Sequence, residues 1–185
     1  MEVGAIILAG GKSSRMGTDK GLLKFQSQHL VQYSINAVDN LCKEISLVTS
    51  NPEYDQFGYR RLEDETPELG PLGGIQSGLR SSKYEWNVIL STDIPKIDES
   101  IVKSLIRPPI EELIRVARCN DRVQPLIGVY SKWILPELDK FIRNGGRSVF
   151  EFIANFNPVY ANFPAEQARA FENVNTMEEF QKLEP

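Results

Sequence analysis

Histidine is almost missing from this chain: of 185 residues, only His29 carries an imidazole. That excludes a histidine-rich metal centre and argues against a His-based catalytic triad. Cysteine is nearly as scarce. Cys42 and Cys119 stand far apart, without the paired spacing of a zinc or redox motif, so both are expected as buried free thiols. No apolar run approaches membrane-spanning length, and residues 1–9 lack the charged start of a secretory signal, so the expected location is the cytoplasm with no membrane contact. A basic excess is missing too. The 21 Lys and Arg residues against 25 Asp and Glu leave a net charge of -4, the wrong sign for a nucleic-acid surface. No repeat, low-complexity segment or linker interrupts the chain. What is there is an ordinary globular composition, 41% hydrophobic and 25% charged, at a length that fits one domain over residues 1–185.

The first twenty residues hold the densest chemistry. Residues 3–9 form a short apolar run that reads as a buried parallel strand, and it empties into Gly10-Gly11-Lys12-Ser13-Ser14-Arg15-Met16-Gly17-Thr18-Asp19-Lys20. Two glycines directly after a strand let backbone N–H groups approach an anion with no Cβ in the way. Arg15 adds a planar fork and Lys20 a point charge, both suited to phosphate oxygens. The P-loop pattern fails here, because the position six before Lys12 is Ile6. The dinucleotide fingerprint fails as well, because Gly10 and Gly11 are adjacent and the next glycine is Gly17. A polyphosphate is expected at this loop.

The rest of the chain alternates strand and helix. Helical spacing puts Val31, Ile35, Val38 and Cys42 on one face of residues 30–42, and residues 44–49 read as the next strand. Residues 59–62 read as a third strand, 71–82 as a helix, 86–92 as a strand and 98–106 as a helix. Residues 113–117 and 126–130 read as paired strands turning at Asn120-Asp121. Residues 131–144 read as a helix stopped by Gly145-Gly146, and Arg147 opens another. Residues 158–163 are a strand candidate. Thr176-Met177-Glu178-Glu179 fits a capping box for a last helix. This pattern predicts an α/β fold with right-handed crossovers, whose ligands sit beyond the carboxyl ends of its strands.

Three candidates lie at such ends. Asn51 either reads a base or ribose or forms an Asn-Pro turn. Gly70-Pro71-Leu72-Gly73-Gly74-Ile75 permits close approach to a flat ligand and opens a helix start. Asp93, at the tip of the most apolar strand after the first, is a candidate Mg²⁺ carboxylate, since magnesium takes one or two carboxylates plus phosphates and water. Its alternative, capping the helix from residue 98, is opposed by the intervening Pro95. His29, just before a helix, is read as a surface or capping residue rather than a base.

The arrangement Leu8-Ala9-Gly10-Gly11-x-Ser13-x-Arg15-Met16-Gly17-x-Asp19-Lys20 resembles the signature of nucleotidyltransferases, and within them the molybdenum cofactor guanylyltransferases. The resemblance extends to Asp64, Gly70-Pro71-Leu72-x-Gly74-Ile75, Thr92-Asp93-Ile94-Pro95, Pro125-Leu126-x-Gly128-x-Tyr130-Ser131, Gly146-Arg147-Ser148 and Asn173-Val174-Asn175-Thr176. It implies a Rossmann-like three-layer sandwich with a mostly parallel central sheet, of the nucleotide-diphospho-sugar transferase type. The implied reaction transfers GMP from GTP to the terminal phosphate of molybdopterin or Mo-molybdopterin, releasing pyrophosphate. By the same resemblance Leu8, Ala9, Gly10, Gly11, Lys20 and Gly70 contact GTP, Asn51 and Asp64 hold its base and ribose, and Asp93 reaches it through Mg²⁺. Arg15, Lys20 and Asp93 carry catalysis. Asn173 and Asn175 fall where the pterin or metal is reached, and Arg147 either contacts the acceptor phosphate or is a solvated helix-start charge. Molybdenum cofactor delivery and acceptor proteins are implied partners. Gln124 departs from the family, where a His precedes the Pro. Cytidylyl transfer, a sugar or polyol phosphate acceptor, and a non-catalytic nucleotide-binding module stay open as alternatives.

Overall fold

The alternation of apolar side chains along the first strand divides the protein into two cores. In the computed structural model, which describes residues 2–10, 19–64, 66–108 and 111–183, β1 (Val3–Leu8) is buried along its whole length. Val3, Ala5 and Ile7 enter one hydrophobic cluster, and Ile6 and Leu8 enter another on the opposite face. Successive side chains of a strand point to opposite faces, so a strand apolar at every position must be covered on both sides.

The elements follow in the order β2 (Lys24–Phe25), β3 (Gln28–His29), α1 (Leu30–Val38), β4 (Glu44–Val48), β5 (Arg60–Leu62), α2 (Pro71–Ser81), β6 (Trp86–Ser91), α3 (Glu99–Leu105), β7 (Ile114–Cys119), β8 (Arg122–Ser131), α4 (Leu135–Arg143), α5 (Val149–Ala154), β9 (Val159–Phe163) and α6 (Met177–Gln181). β2 and β3 form a small separate hairpin. The main sheet has seven strands in the order β5-β4-β1-β6-β8-β7-β9. Only β8 runs against its neighbours. The three-layer, mostly parallel α/β expectation therefore holds. Helices α1 and α3 pack beside the cluster of Val3, Ala5 and Ile7, while α2, α4 and α5 cover that of Ile6 and Leu8. None of the helices among the described residues is long and apolar enough to cross a membrane.

Helix α2 lies unusually close to β1. A Cβ on Gly78 would come within 2.4 Å of Ile6 Cγ2, and one on Gly74 within 2.9 Å of Leu8 Cδ2. These two glycines, one helical turn apart, let the helix rest on the strand. Gly70, which starts the helix, has φ 57°, a conformation that glycine adopts without strain.

Several boundaries differ from the expectations. Helix α1 ends at Val38, and Cys42 closes a further turn with its N–H on Val38 O at 2.9 Å. Cys42 is consequently half-buried, whereas Cys119 is buried as expected. The helix expected over 131–144 begins as a 3-10 turn at Lys132–Ile134, with α-helix only from Leu135. Pro136 explains the join, because proline fits the first helical turn, where its missing N–H has no intrahelical role. Ser148, not Arg147, caps α5.

Candidate functional site

In the sheet order, β1 is followed by β4 on one side and β6 on the other, so the chain reverses direction across the sheet between β1 and β6. Ligand crevices of open α/β sheets form at such a reversal, beyond the carboxyl ends of the strands. Gly10 follows β1 there, and Asp93 follows β6. Ala9 N–H donates to Val48 O at 3.0 Å, which carries the pairing one residue past β1 and leaves Gly10 as the exposed step out of the sheet. Leu8 and Ala9 are buried side chains, so only their backbone can meet a ligand. Gly11 and Arg15 lie outside the described residues.

The chain returns at Asp19 and Lys20. Lys20 Nζ stands 3.5 Å from Asp93 Oδ2 and donates to Asn175 Oδ1 at 3.2 Å. Asp93 Oδ1 accepts from Ser91 Oγ. Both partners of the ion pair are mostly shielded, with side-chain exposures of 16% for Lys20 and 22% for Asp93. A charge pair in such a place is screened less than one on open surface. Three residues singled out from sequence, separated by up to 155 positions, thus share one corner.

Asn175 is fixed there by two devices. Val174 N–H donates to Asp93 O at 2.8 Å, tying the segment 173–175 to the end of β6. The expected capping box is present: Glu179 N–H donates to Thr176 Oγ1, and Glu179 Oε2 accepts from Thr176 N at 3.1 Å and Asn175 N at 2.5 Å. The capping box therefore also anchors one of the two asparagines. Asn173 lines a cavity beside Asp93.

Sequence reasoning missed the group that holds Lys20. The Asp19 carboxylate accepts from Gly21 N (3.1 Å) and Tyr54 Oη (2.7 Å) on one oxygen and from Asn51 Nδ2 (2.9 Å) on the other. Tyr54 is fully buried, and burial together with the Asp19 carboxylate pushes its phenol well above its ordinary pKa, so it stays a donor. Gly21 is compulsory by space: a Cβ would sit 2.1 Å from the Tyr54 hydroxyl. The Asp19 position is visible in the signature, but nothing in the 3-10 turn Pro52–Phe57 marks Tyr54 as its partner. Asn51 fulfils its turn reading: Oδ1 accepts from Glu53 N at 3.0 Å while the amide nitrogen reaches Asp19.

Asp64 and Gly70 occupy the neighbouring corner between β5 and α2. Asp64 Oδ1 accepts from Thr66 N at 3.0 Å. A Cβ on Gly73 would lie 2.8 Å from that oxygen, so the first turn of α2 closes directly onto the Asp64 loop. The adjacent Gly74 touches Leu8 at the end of β1, which joins this corner to the crevice. Arg147 is engaged elsewhere. Its guanidinium donates to Gly146 O (2.8 Å) and Ile142 O (3.4 Å) at the end of α4. His29 is structural as expected: Nδ1 meets Leu22 O at 2.6 Å and the backbone N–H donates to Gln32 Oε1 at the start of α1.

Among the described residues no three His, Cys, Asp or Glu side chains cluster as a metal cage. Asp93 is a single carboxylate that already faces a cation, the Lys20 ammonium, and this donor set fits a magnesium ion that draws its other oxygens from phosphates and water.

The MobA-like NTP transferase domain family matches residues 5–159. A Flavobacterium johnsoniae protein named "Probable molybdenum cofactor guanylyltransferase" is 36% identical over 178 residues, covering 96% of this chain and 94% of that one. The Vibrio vulnificus molybdenum cofactor guanylyltransferase is 33% identical over 181 residues, covering 94% and 91%. The crystal structure of molybdopterin-guanine dinucleotide biosynthesis protein A from Archaeoglobus fulgidus superposes with a TM-score of 0.78 over 98% of this chain and 96% of that one. At 19% identity it speaks for the fold.

Proposed function

The chain belongs to the molybdenum cofactor guanylyltransferase family of MobA-like NTP transferases, and on that premise we propose that it transfers GMP from GTP to the terminal phosphate of molybdopterin. The observation that carries this reading is the meeting of Lys20, Asp93 and Asn175 at the carboxyl ends of β1 and β6.

The acceptor phosphate is largely ionised near neutral pH, with a second pKa near ~6. It needs no strong base, in keeping with a chain whose one histidine is committed to a helix start. A terminal phosphate oxygen attacks the α-phosphorus of GTP in line. One P–O bond forms, the bond to the β-phosphate bridging oxygen breaks, and pyrophosphate leaves with the electron pair. Rate enhancement comes from alignment and from placing positive charge where negative charge develops. Lys20 supplies that charge from a fixed position, backed by Asp19. Arg15 and the backbone of Gly10 and Gly11 are assigned to the departing phosphates. Asn51, Asp64 and Gly70 are assigned to the base and ribose side, and Asn173 and Asn175 to the acceptor side. A magnesium ion held by Asp93 would supply charge neutralisation at the triphosphate.

The test is pyrophosphate release from GTP with molybdopterin, set against CTP and against sugar phosphates. GTP with the pterin is expected to give the fastest release. At saturating GTP and magnesium, Lys20→Ala and Asp93→Ala are each expected to lower kcat by about 10²–10³-fold. Wild-type turnover in both variants would refute the assignment.

A further inference from the structure

On the far side of β6 from the nucleotide corner, the sheet is deliberately irregular. β8 pairs with β7 through Val116↔Gly128, but the next β7 residue, Ala117, pairs with Gln124. Residues 125–127 therefore stand out of the β7–β8 register. Pro125 suits the departure because it has no N–H to leave unpaired. The fully buried Tyr130 phenol donates to Pro125 O at 2.5 Å and fixes the outgrowth in place. It stands at the end of β6, where Leu90↔Ile127 is the last pairing with β8.

A cavity of ≈ 230 Å³ opens there, and its walls include Ser91, Asp93, Gln124, Pro125, Phe150 and Asn173. Phe150 is conspicuous. It is 54% exposed, while Val149, Phe152 and Ile153 of the same helix are buried. Among the described residues the Gln124 side-chain amide makes no hydrogen bond. An aromatic face and an unused amide thus line one side of a small cavity whose other side is Asp93.

Resting on the proposed transfer to a pterin phosphate, we infer that this cavity seats the acceptor's flat bicyclic ring. Phe150 stacks on its face, Gln124 pairs with its edge, and the phosphate stays at the Asp93–Lys20 corner. A pterin has a π-face and an edge that both donates and accepts hydrogen bonds, which an aromatic ring and a primary amide complement. The size agrees. The cavity is smaller than the roughly 300–1,000 Å³ of sites that enclose a whole drug-sized ligand, so it takes a ring system and leaves the rest of the acceptor outside. The sheet order agrees as well. The Gly10 and Asp64 corners lie on the β1, β4 and β5 side of Asp93, and this cavity lies on the β8 side, so the two substrates approach the same carboxylate from opposite flanks.

The test titrates neopterin monophosphate by the anisotropy of its own fluorescence, with GTP affinity measured separately by calorimetry. Phe150→Ala is expected to weaken the pterin phosphate about tenfold or more, and Gln124→Leu roughly fivefold. Phe150→Tyr keeps the stack and retains binding, and all three variants keep the wild-type GTP affinity. In the transfer assay the losses fall on the acceptor KM rather than on kcat. Equal pterin-phosphate binding by wild type, Phe150→Ala and Gln124→Leu overturns the inference, as does a wild type that binds GTP but no pterin phosphate. Binding that weakens in the variants while no GMP is ever transferred sustains the cavity assignment and sinks the proposed reaction instead.

Discussion

Asp19→Asn tests the support beneath Lys20. The substitution keeps shape and removes charge. Its remaining oxygen can still accept from Gly21 N–H and the Tyr54 hydroxyl, which share one carboxylate oxygen at 3.1 and 2.7 Å. The new amide nitrogen, however, would face Asn51 Nδ2 at the present 2.9 Å, donor against donor. Turning the Asn51 amide over only moves the conflict, because its oxygen already accepts from Glu53 N–H. One hydrogen bond to a charged acceptor is lost, about 1.5–3 kcal/mol, and a shielded donor is left unmatched. For a chain of this size each kcal/mol lowers Tm by about 2–4 °C, so a fall of roughly 4–12 °C is expected. Tyr54→Phe removes one donor and leaves the other two, so it is expected to lose about 1 kcal/mol. Thermal melts report the stability, and GTP calorimetry reports whether Lys20 has lost its position. The expected order of GTP affinity is wild type, then Tyr54→Phe, then Asp19→Asn. An Asp19→Asn variant indistinguishable from wild type in both Tm and GTP affinity would refute the role given to this carboxylate.

Gly78→Ala would bring a Cβ to within 2.4 Å of Ile6 Cγ2. The overpacking, about 1–3 kcal/mol, is expected to outweigh alanine's helix preference of roughly 1 kcal/mol, and an unchanged or raised Tm would contradict it. Thr176→Ala removes the cap of α6 and is expected to reduce stability by about 1 kcal/mol, with faster amide exchange at Asn175 and Glu179; unaltered exchange there would count against the anchoring. Burial pushes the Cys42 thiol up from an ordinary 9.0 to about 12. The unfolded chain therefore releases this proton first, and stability declines as pH rises through that window. Denaturant midpoints between pH 8 and 11, a range chosen around the ordinary thiol pKa of about 8.5, are expected to fall less steeply in Cys42→Ala. Parallel profiles would show that the thiol has no part.

The alternation of strand and helix was legible because each parallel strand is apolar at nearly every position, and a buried strand announces itself that way. The antiparallel insertion of β8 between β6 and β7 was not. Residues 113–130 mark a hairpin, but its docking beside β6 depends on the pairing Leu90↔Ile127, between residues 37 positions apart. At the site, Lys20, Asp93 and Asn175 each stood out by residue type and position. Their meeting was hidden, because it depends on the Val174–Asp93 backbone bond and on a capping box whose sequence says only that a helix begins. Tyr54 was invisible for a plainer reason: a lone aromatic in a 3-10 turn has no periodicity to betray its burial. The outgrowth of β8 left only Pro125 as a trace, and a proline does not reveal which way the strand bends around it.

The family match stops at residue 159, the first residue of β9, yet the hydrogen bond from Val174 fastens the segment beyond it to Asp93. A chain cut after residue 172 would retain all seven strands of the sheet and the core residues Phe163, Ala170 and Phe171, and by circular dichroism it would pass for sound. It would nonetheless be missing a wall of its reaction chamber, so folding and competence come apart at a single backbone contact near the carboxyl terminus.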